Sequence, residues 1–223
     1  MTNTERILSH NELLRDCIET AENLPDANNG GGGSDDNSIN AFLEGRLAKV
    51  DCYGVTEIYP YTFYENQGLK SVRLANVETV GNYNFYNCEA LETVDLPSAT
   101  GNVGTYFCYS CENLKSVNLP NVTALGNYSF QSSSKIEKID LPSVTSLGSY
   151  CFRYATKLKT LILRYSGGVV SRGSSALTST AISSKSGYIY VPAALVEDYK
   201  VASGWSTNAS QIRAIEDYPD ICG

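Results

Sequence analysis

Few residues of this sequence have the type and spacing for chemistry, and the clearest pair is Cys108 and Cys111. The segment Cys108-Tyr-Ser-Cys111 has the C-x-x-C spacing of thiol redox centres and zinc sites. A zinc site needs four ligands, yet there is no second C-x-x-C, and the single histidine, His10, is far away in the chain. Ser-His-Asp or Cys-His catalysis would also depend on His10. We therefore predict no catalytic residues, no metal and no cofactor, and interpret both cysteines as buried structural residues.

The composition excludes other classes of function. The 223 residues include 17 Lys and Arg against 24 Asp and Glu, a net charge of −7. This balance argues against non-specific binding to nucleic acid or anionic membranes. No apolar run approaches the ~18–20 residues of a membrane span, so we expect no membrane insertion. Met1 is followed by polar residues, so no secretory signal is expected, and the seven cysteines are expected to be reduced thiols.

These residues are positioned by a repeat of about 22 residues. Units begin at spacings of 22, 22, 23 and 22, with a sixth, incomplete unit, at Leu47, Leu69, Leu91, Leu114, Ile136 and Leu158. In each unit, positions four and six are apolar and their neighbours polar, which indicates a short strand with one buried face.

The rest of each unit has its own pattern. A proline often follows the strand, then comes a second apolar pair in an irregular or single-turn helical return. A glycine such as Gly126 is expected to adopt an unusual backbone conformation. Phe107 comes one residue early in the third unit, compared with the inward rings expected for Phe63, Phe85, Phe130 and Phe152.

One unit cannot bury its apolar edge alone, so the units must stack into a solenoid. We predict about seven short parallel strands, one per coil, the last at Tyr188–Val191. The stretch 166–187 breaks the period and is expected to be a bulging loop. In the C-terminal cap, Ile212 and Ile215 are expected to lie over the last coil. The predicted organisation is an amphipathic helix over 1–25, a Gly/Asn/Asp/Ser linker over 26–40, the solenoid over 41–191 and a helical cap over 192–223.

The strand pattern L-x-x-V-x-L, followed by V-x-x-[VL]-G-x-Y-x-F-x-x-[CS]-x-x-L, resembles the BspA-like leucine-rich repeat family over about residues 41–191. The C-terminal stretch YIYVPAALVEDYKVASGWSTNASQIRAIED is similar to the ending of small bacterial and prophage-encoded members. The resemblance implies a right-handed solenoid used for binding or adhesion, commonly at cell or virion surfaces, with no catalytic residues. Localisation stays open: the chain is expected to be synthesised in the cytoplasm without a secretory signal, but proteins of virions also fold there before they are assembled.

Two surfaces of the solenoid are candidates for binding a protein or a glycan. One is an aromatic row at position fifteen, expected on the convex side: Tyr61, Tyr83, Tyr106, Tyr128 and Tyr150. The other is the strand face at position five: Arg73, Asp95, Asn118 and Asp140. The alternative interpretations are stacking between coils for the row and a ladder of lateral charge pairs for the strand face. Alternatively, the whole chain is a structural spacer in a prophage tail or surface assembly, self-associating through its N-terminal helix.

Overall fold

The computed structural model describes residues 48–223, and within them the predicted leucine-rich repeat solenoid is confirmed. The helix predicted over 1–25 and the linker predicted over 26–40 lie outside the described residues.

A first row of parallel strands follows from the alternating apolar positions. Its members are β1 (Lys49–Cys52), β3 (Ser71–Leu74), β5 (Thr93–Asp95), β7 (Ser116–Asn118), β9 (Lys138–Leu141), β11 (Thr160–Leu163), β13 (Tyr188–Val191) and β14 (Ile212–Ala214). They form two four-stranded sheets, β1-β3-β5-β7 and β9-β11-β13-β14. Equivalent repeat positions pair, as Val50 does with Val72. The expected seventh strand is present as β13.

A second row of short strands begins the return of each coil, where an irregular or helical segment was expected. Its members are β2 (Glu57–Ile58), β4 (Thr79–Val80), β6 (Gly101–Val103), β8 (Val122–Leu125), β10 (Ser146–Leu147) and β12 (Ser171–Arg172). All of their pairings are parallel. Strand β12 lies within 166–187, and Val170, Leu177 and Ile182 there are buried. The expectation of a bulging loop is therefore wrong, because this stretch completes the sixth coil.

The core is built from columns of equivalent side chains. The column at position six is fully buried, with exposed fractions of 0–1 % at Cys52, Leu74, Leu96, Leu119, Leu141 and Leu163. In the ring column, Phe63 stacks on Phe85 at an interplanar angle of 9°. The third coil has one extra residue, and the register between β6 and β8 shifts between Gly101 and Asn102. Phe107 enters the core one residue early, as expected, and meets Phe85 edge-on at 81°.

The turn glycines are needed because a side chain there would meet the neighbouring coil, and not because their backbone conformation is unusual. A Cβ on Gly126 would lie 2.7 Å from the carbonyl carbon of Gly104 and from the nitrogen of Thr105. Gly126 has no positive φ, so the unusual conformation expected for it is wrong. The left-handed conformation falls on the residue two positions later, the tyrosine of the row, with φ of 60° at Tyr128.

The predicted C-terminal cap is only partly helical. It contains two 3₁₀ turns, Ala193–Leu195 and Ser206–Gln211, and two short helices, α1 (Val196–Val201) and α2 (Pro219–Cys222). Ile212 is buried over the last coil as expected, but it belongs to an eighth strand, since Ile212–Ala214 pairs with β13. Within residues 48–223, no helix has the length and apolar character needed to cross a membrane.

Candidate binding surface

The tyrosines at position fifteen are held by the backbone in a left-handed turn. Their φ angles are 67°, 58°, 58°, 60° and 60° at Tyr61, Tyr83, Tyr106, Tyr128 and Tyr150. In this conformation each N–H donates to a carbonyl of the next coil, as Tyr106 does to Asn127 over 2.9 Å. A left-handed L-residue costs roughly 1–2 kcal/mol, so five bulky residues share a strained conformation. The turn places the row outside the core, where Tyr61 is 43 % exposed.

The five rings form one continuous stack along the solenoid. Consecutive ring centroids are 4.8, 4.8, 4.6 and 5.0 Å apart, with interplanar angles of 5°, 14°, 5° and 8°. The structure therefore brings the predicted row together as a stack. Their role in binding stays a prediction.

A second aromatic row lies beside the first and was not predicted. Tyr64, Tyr86 and Tyr109 stack with centroids 5.0 and 4.9 Å apart. Tilted and edge contacts of 5.4–6.1 Å join the two rows. The signal in the sequence was the spacing of Tyr64, Tyr86 and Tyr109, which is 22 and 23 residues, the same as that of Tyr61, Tyr83 and Tyr106. We call the eight residues of both rows the tyrosine surface.

The stacking decides which parts of the rings meet a partner. Each inner ring has both faces covered by its neighbours, so the surface presents ring edges and phenol hydroxyls. Burial raises the pKa of Tyr106, with the neighbouring Tyr128 adding to the effect. Burial, followed by the nearby Glu65, likewise raises the pKa of Tyr64. These hydroxyls therefore stay protonated at neutral pH and can donate hydrogen bonds.

The C-terminal end of the second row is polar. Arg153 lies at the repeat position of Tyr86, and its guanidinium carbon is 5.3 Å from the ring centre of Tyr150 and 4.5 Å from that of Tyr154. It also donates a 2.7 Å hydrogen bond to the hydroxyl of Tyr154. A cation held over two aromatic rings closes this end of the surface.

The four predicted residues of the strand face mainly bind neighbouring coils. Arg73 lies 3.5 Å from Asp95, and the Asn118 amide donates to Asp95 over 2.8 Å. Asp140 accepts two hydrogen bonds from Nε of Arg164 and one from Nη2. The structure thus places them in lateral ladders between coils.

Lateral charge pairs are also present at position two of the repeat, with Lys115 bound to Glu92 and Lys159 to Glu137. The same face is not uniformly acidic, because a groove of about 390 Å³ beside Glu137 is lined by Lys115, Lys135, Lys138 and Lys157. Three of these ammonium groups already have partners, since they bond to the Glu92 carboxylate, the Asn113 side chain and the Ile221 carbonyl.

The C-x-x-C pair lies in the core. Cys108 and Cys111 are free thiols with no exposed surface, and burial, with Cys111 beside it, raises the pKa of Cys108. A redox thiol needs the opposite, an accessible group with a lowered pKa. Across residues 48–223, no three His, Cys, Asp or Glu side chains are grouped to hold a metal ion.

Stacked coils, a row of parallel strands along the L-x-x-V-x-L segments and an apolar column at fixed repeat positions define a leucine-rich repeat solenoid. A family model described as BspA type leucine rich repeat region matches residues 39–159 in six copies, and the chain belongs to this family.

Two solved structures show the same fold. A leucine-rich repeat protein from Bacteroides ovatus is 20 % identical with a TM-score of 0.50, over 76 % of this chain and 46 % of its own. A leucine rich cell surface protein from Faecalibacterium prausnitzii is 21 % identical with a TM-score of 0.50, over 72 % of this chain and 43 % of its own. This chain spans less than half the length of either protein. No curated protein matches the sequence.

Proposed function

We propose that this chain is a non-enzymatic binding module, and that its tyrosine surface contacts a protein partner. The observation that carries the proposal is the double stack of partly exposed tyrosines. Tyrosine supplies a large amphipathic contact area at low cost in side-chain entropy, and it is enriched in protein interfaces. Here the rings are already ordered by stacking, so binding immobilises little that is mobile in the free protein.

Ring orientation favours a protein over a glycan as the partner. Sugar rings bind aromatic side chains face to face, and the inner faces of this surface are covered by other tyrosines. Edges and hydroxyls suit the mixed apolar and polar contacts of a protein interface. The first row alone is about 19 Å long at ~4.8 Å per coil, which is a useful part of a standard interface.

The wider setting is proposed from the same evidence. One of the structurally similar proteins is described as a cell surface protein, which supports an adhesive role at a cell or virion surface. The strand face is a weaker candidate, because Arg73, Asp95, Asn118 and Asp140 have partners within the solenoid.

The test replaces Tyr106 and Tyr128 together by serine in the full chain. Serine suits the left-handed position, since Ser110 and Ser132 adopt φ of 53° and 63° in this protein. The matched control replaces Tyr53 and Tyr188 by serine, because these two exposed tyrosines lie outside the tyrosine surface. The parent protein, the serine variant and the control are probed on protein and glycan arrays. Each interaction found is then titrated with the purified partner.

A protein partner bound at least tenfold more weakly by the serine variant, but not by the control, supports the proposal. Equal affinity of all three proteins would remove the tyrosine surface as the binding site. Binding to glycans that the serine variant loses and the control keeps, without a protein partner, would contradict the choice of a protein partner. Self-association without any soluble partner would favour the spacer function.

A further inference from the structure

A second candidate site lies where the tyrosine surface ends. In the sixth coil, Ser175 occupies the repeat position of Tyr150, with a φ of 55° against 60°. Thr178 occupies the position of Arg153, because the N–H of the following residue, Tyr154, donates to the Thr178 carbonyl. Two short side chains thus replace two long ones, and a pocket of about 260 Å³ opens beside them.

The pocket has contributions from three segments. Ala176 and Leu177 of the sixth coil are buried and supply its apolar part. The remaining lining residues carry hydroxyl, amide or cationic groups, and none is acidic: Arg172, Ser175, Thr178, Ser183, Lys185, Thr207 and Asn208. Such a lining offers several hydrogen-bonding groups to a polar ligand.

Arg172 is the main charged group of the pocket. Its guanidinium carbon lies 4.7 Å from the ring centre of Trp205, and Nη1 donates to Oδ1 of Asn208 over 2.9 Å. No carboxylate within residues 48–223 forms an ion pair with it. Burial lowers the pKa of Arg172, but a guanidinium stays charged at neutral pH. A half-buried guanidinium whose hydrogen bond goes to a neutral amide is stabilised when an anion binds beside it.

Lys185 brings a second positive charge to the same pocket. Its ammonium group donates to the Thr207 carbonyl over 2.7 Å and to Oε1 of Gln211 over 2.9 Å. Both acceptors are neutral, and no ion pair to Lys185 is present in the described part of the chain. Two cations without acidic partners share one small cavity of a protein with a net charge of −7.

We propose that this pocket binds a small polar molecule through a carboxylate or sulfate group, of the size and chemistry of one acidic sugar residue. The guanidinium is suited to bind two oxygens of the anion, and Lys185 adds a point charge. The volume is slightly below the ~300 Å³ at which sites for drug-sized molecules begin. The hydroxyl and amide groups of the lining match the hydroxyls of a sugar. This site is separate from the protein-binding role proposed for the tyrosines.

Trp205 is the single tryptophan of the chain and lies against Arg172, so its fluorescence reports on the pocket. The full chain is titrated with glucuronate, sodium sulfate, glucose and sodium chloride at constant ionic strength. We expect a saturable fluorescence change with glucuronate, and none with glucose or chloride. A response to both glucuronate and sulfate indicates recognition of the anionic group alone, and a response to glucuronate alone indicates recognition of the sugar as well.

Lys185→Gln is the main variant, because its exposed side chain is replaced without touching the core, and we expect at least fivefold weaker binding. Arg172→Lys keeps the charge and removes the two-oxygen contact, and we expect a loss of tenfold or more. Lys157→Gln, on the strand face, is the matched control and should bind as the parent does. The proposal is overturned if the folded parent shows no saturable response to either anion, if glucose responds equally, or if Lys185→Gln binds as tightly as the control.

Discussion

The thiol of Cys111 donates a hydrogen bond to the carbonyl oxygen of Phe85 in the preceding coil, over 2.9 Å. Cys88 makes the same kind of contact one coil earlier. In the fourth coil Ser133 does so with its hydroxyl, over 2.8 Å to the Cys108 carbonyl. The small residue that closes these units is therefore a buried hydrogen-bond donor, and sulfur and oxygen perform the same task at this position.

Replacing Cys111 by serine is expected to change the free energy of unfolding little, whereas alanine is expected to lower it by about 1–3 kcal/mol. The alanine variant leaves the buried carbonyl of Phe85 without this donor, and an unmade buried hydrogen bond has a cost of that order. Urea unfolding of the two variants followed by circular dichroism provides the measurement. Alanine at least as stable as serine would show that the thiol serves only to fill space.

The turn glycines give a second prediction. Gly126→Ala is expected to destabilise the fold by about 1–3 kcal/mol or more, because the new methyl group meets the backbone of the preceding coil, which cannot move away alone. The control is Gly101→Ala, where nothing lies within 4 Å of the new Cβ and only the φ of 65° opposes it. Urea midpoints should therefore fall further for Gly126→Ala, and the reverse order would contradict the close-approach explanation.

The repeat columns explain why most of the fold was predictable. The six repeat units that contain β1, β3, β5, β7, β9 and β11 keep apolar residues at positions four and six, so the alternation was visible in each of them. The second row was missed because strands such as β10 have two residues, too few for a period to be seen. The eighth strand was missed because Ile212–Ala214 stands outside the repeat, and its place depends on how the C-terminal segment folds back.

The candidate sites, too, were predictable only where they follow the repeat. The first tyrosine row was predictable, since its members keep one repeat position. The left-handed turn that exposes them was assigned to the neighbouring glycine, because glycine is the usual residue there. The pocket at Arg172 was not predictable, since Lys185 and Asn208 reach it from segments whose arrangement only the tertiary structure defines.

The left-handed backbone of the tyrosine row leads to a third prediction. Tyr106→Asn and Tyr106→Val lose the same ring stacking, but asparagine tolerates a positive φ and a β-branched residue does not. Asn87 already adopts φ of 55° in this chain. We expect the valine variant to be less stable than the asparagine variant by about 1–2 kcal/mol in urea unfolding. Equal stability of the two would show that the turn relaxes to an ordinary conformation.

The charge pairs of the strand face give a prediction for acid pH. Hydrogen bonds from Lys115 and Lys159 lower the pKa of Glu92 and Glu137, respectively. A lowered carboxyl pKa stabilises the folded state above the ordinary pKa of about 4.3, and this contribution is lost as pH falls through the lowered value. Glu92→Gln/Glu137→Gln should therefore show a shallower loss of thermal stability below pH 5 than the parent protein.

The matched control for this acid effect is Glu89→Gln/Glu112→Gln, which changes two exposed glutamates that form no ion pair within residues 48–223. Its thermal stability should follow the parent as pH is lowered. Because the pairs are exposed, the difference should also shrink at 1 M salt, where the Debye length is about 3 Å. Identical pH profiles for both double variants would mean that the ion pairs add nothing to stability.

Val170 forms two buried hydrogen bonds with the C-terminal cap, and these lead to the last prediction. The Val170 N–H donates to the Tyr199 hydroxyl over 2.9 Å, and its carbonyl accepts from Nε1 of Trp205 over 2.7 Å. Tyr199→Phe leaves that buried N–H without its partner, at a cost of about 1–3 kcal/mol. Coils of a solenoid are stabilised mainly by their neighbours, so the terminal coil should open first.

Trp205 fluorescence should then change at lower urea than circular dichroism does, whereas Tyr188→Phe, an exposed control, should leave both transitions coincident. Coincident transitions in Tyr199→Phe as well would show that the cap unfolds only with the whole solenoid.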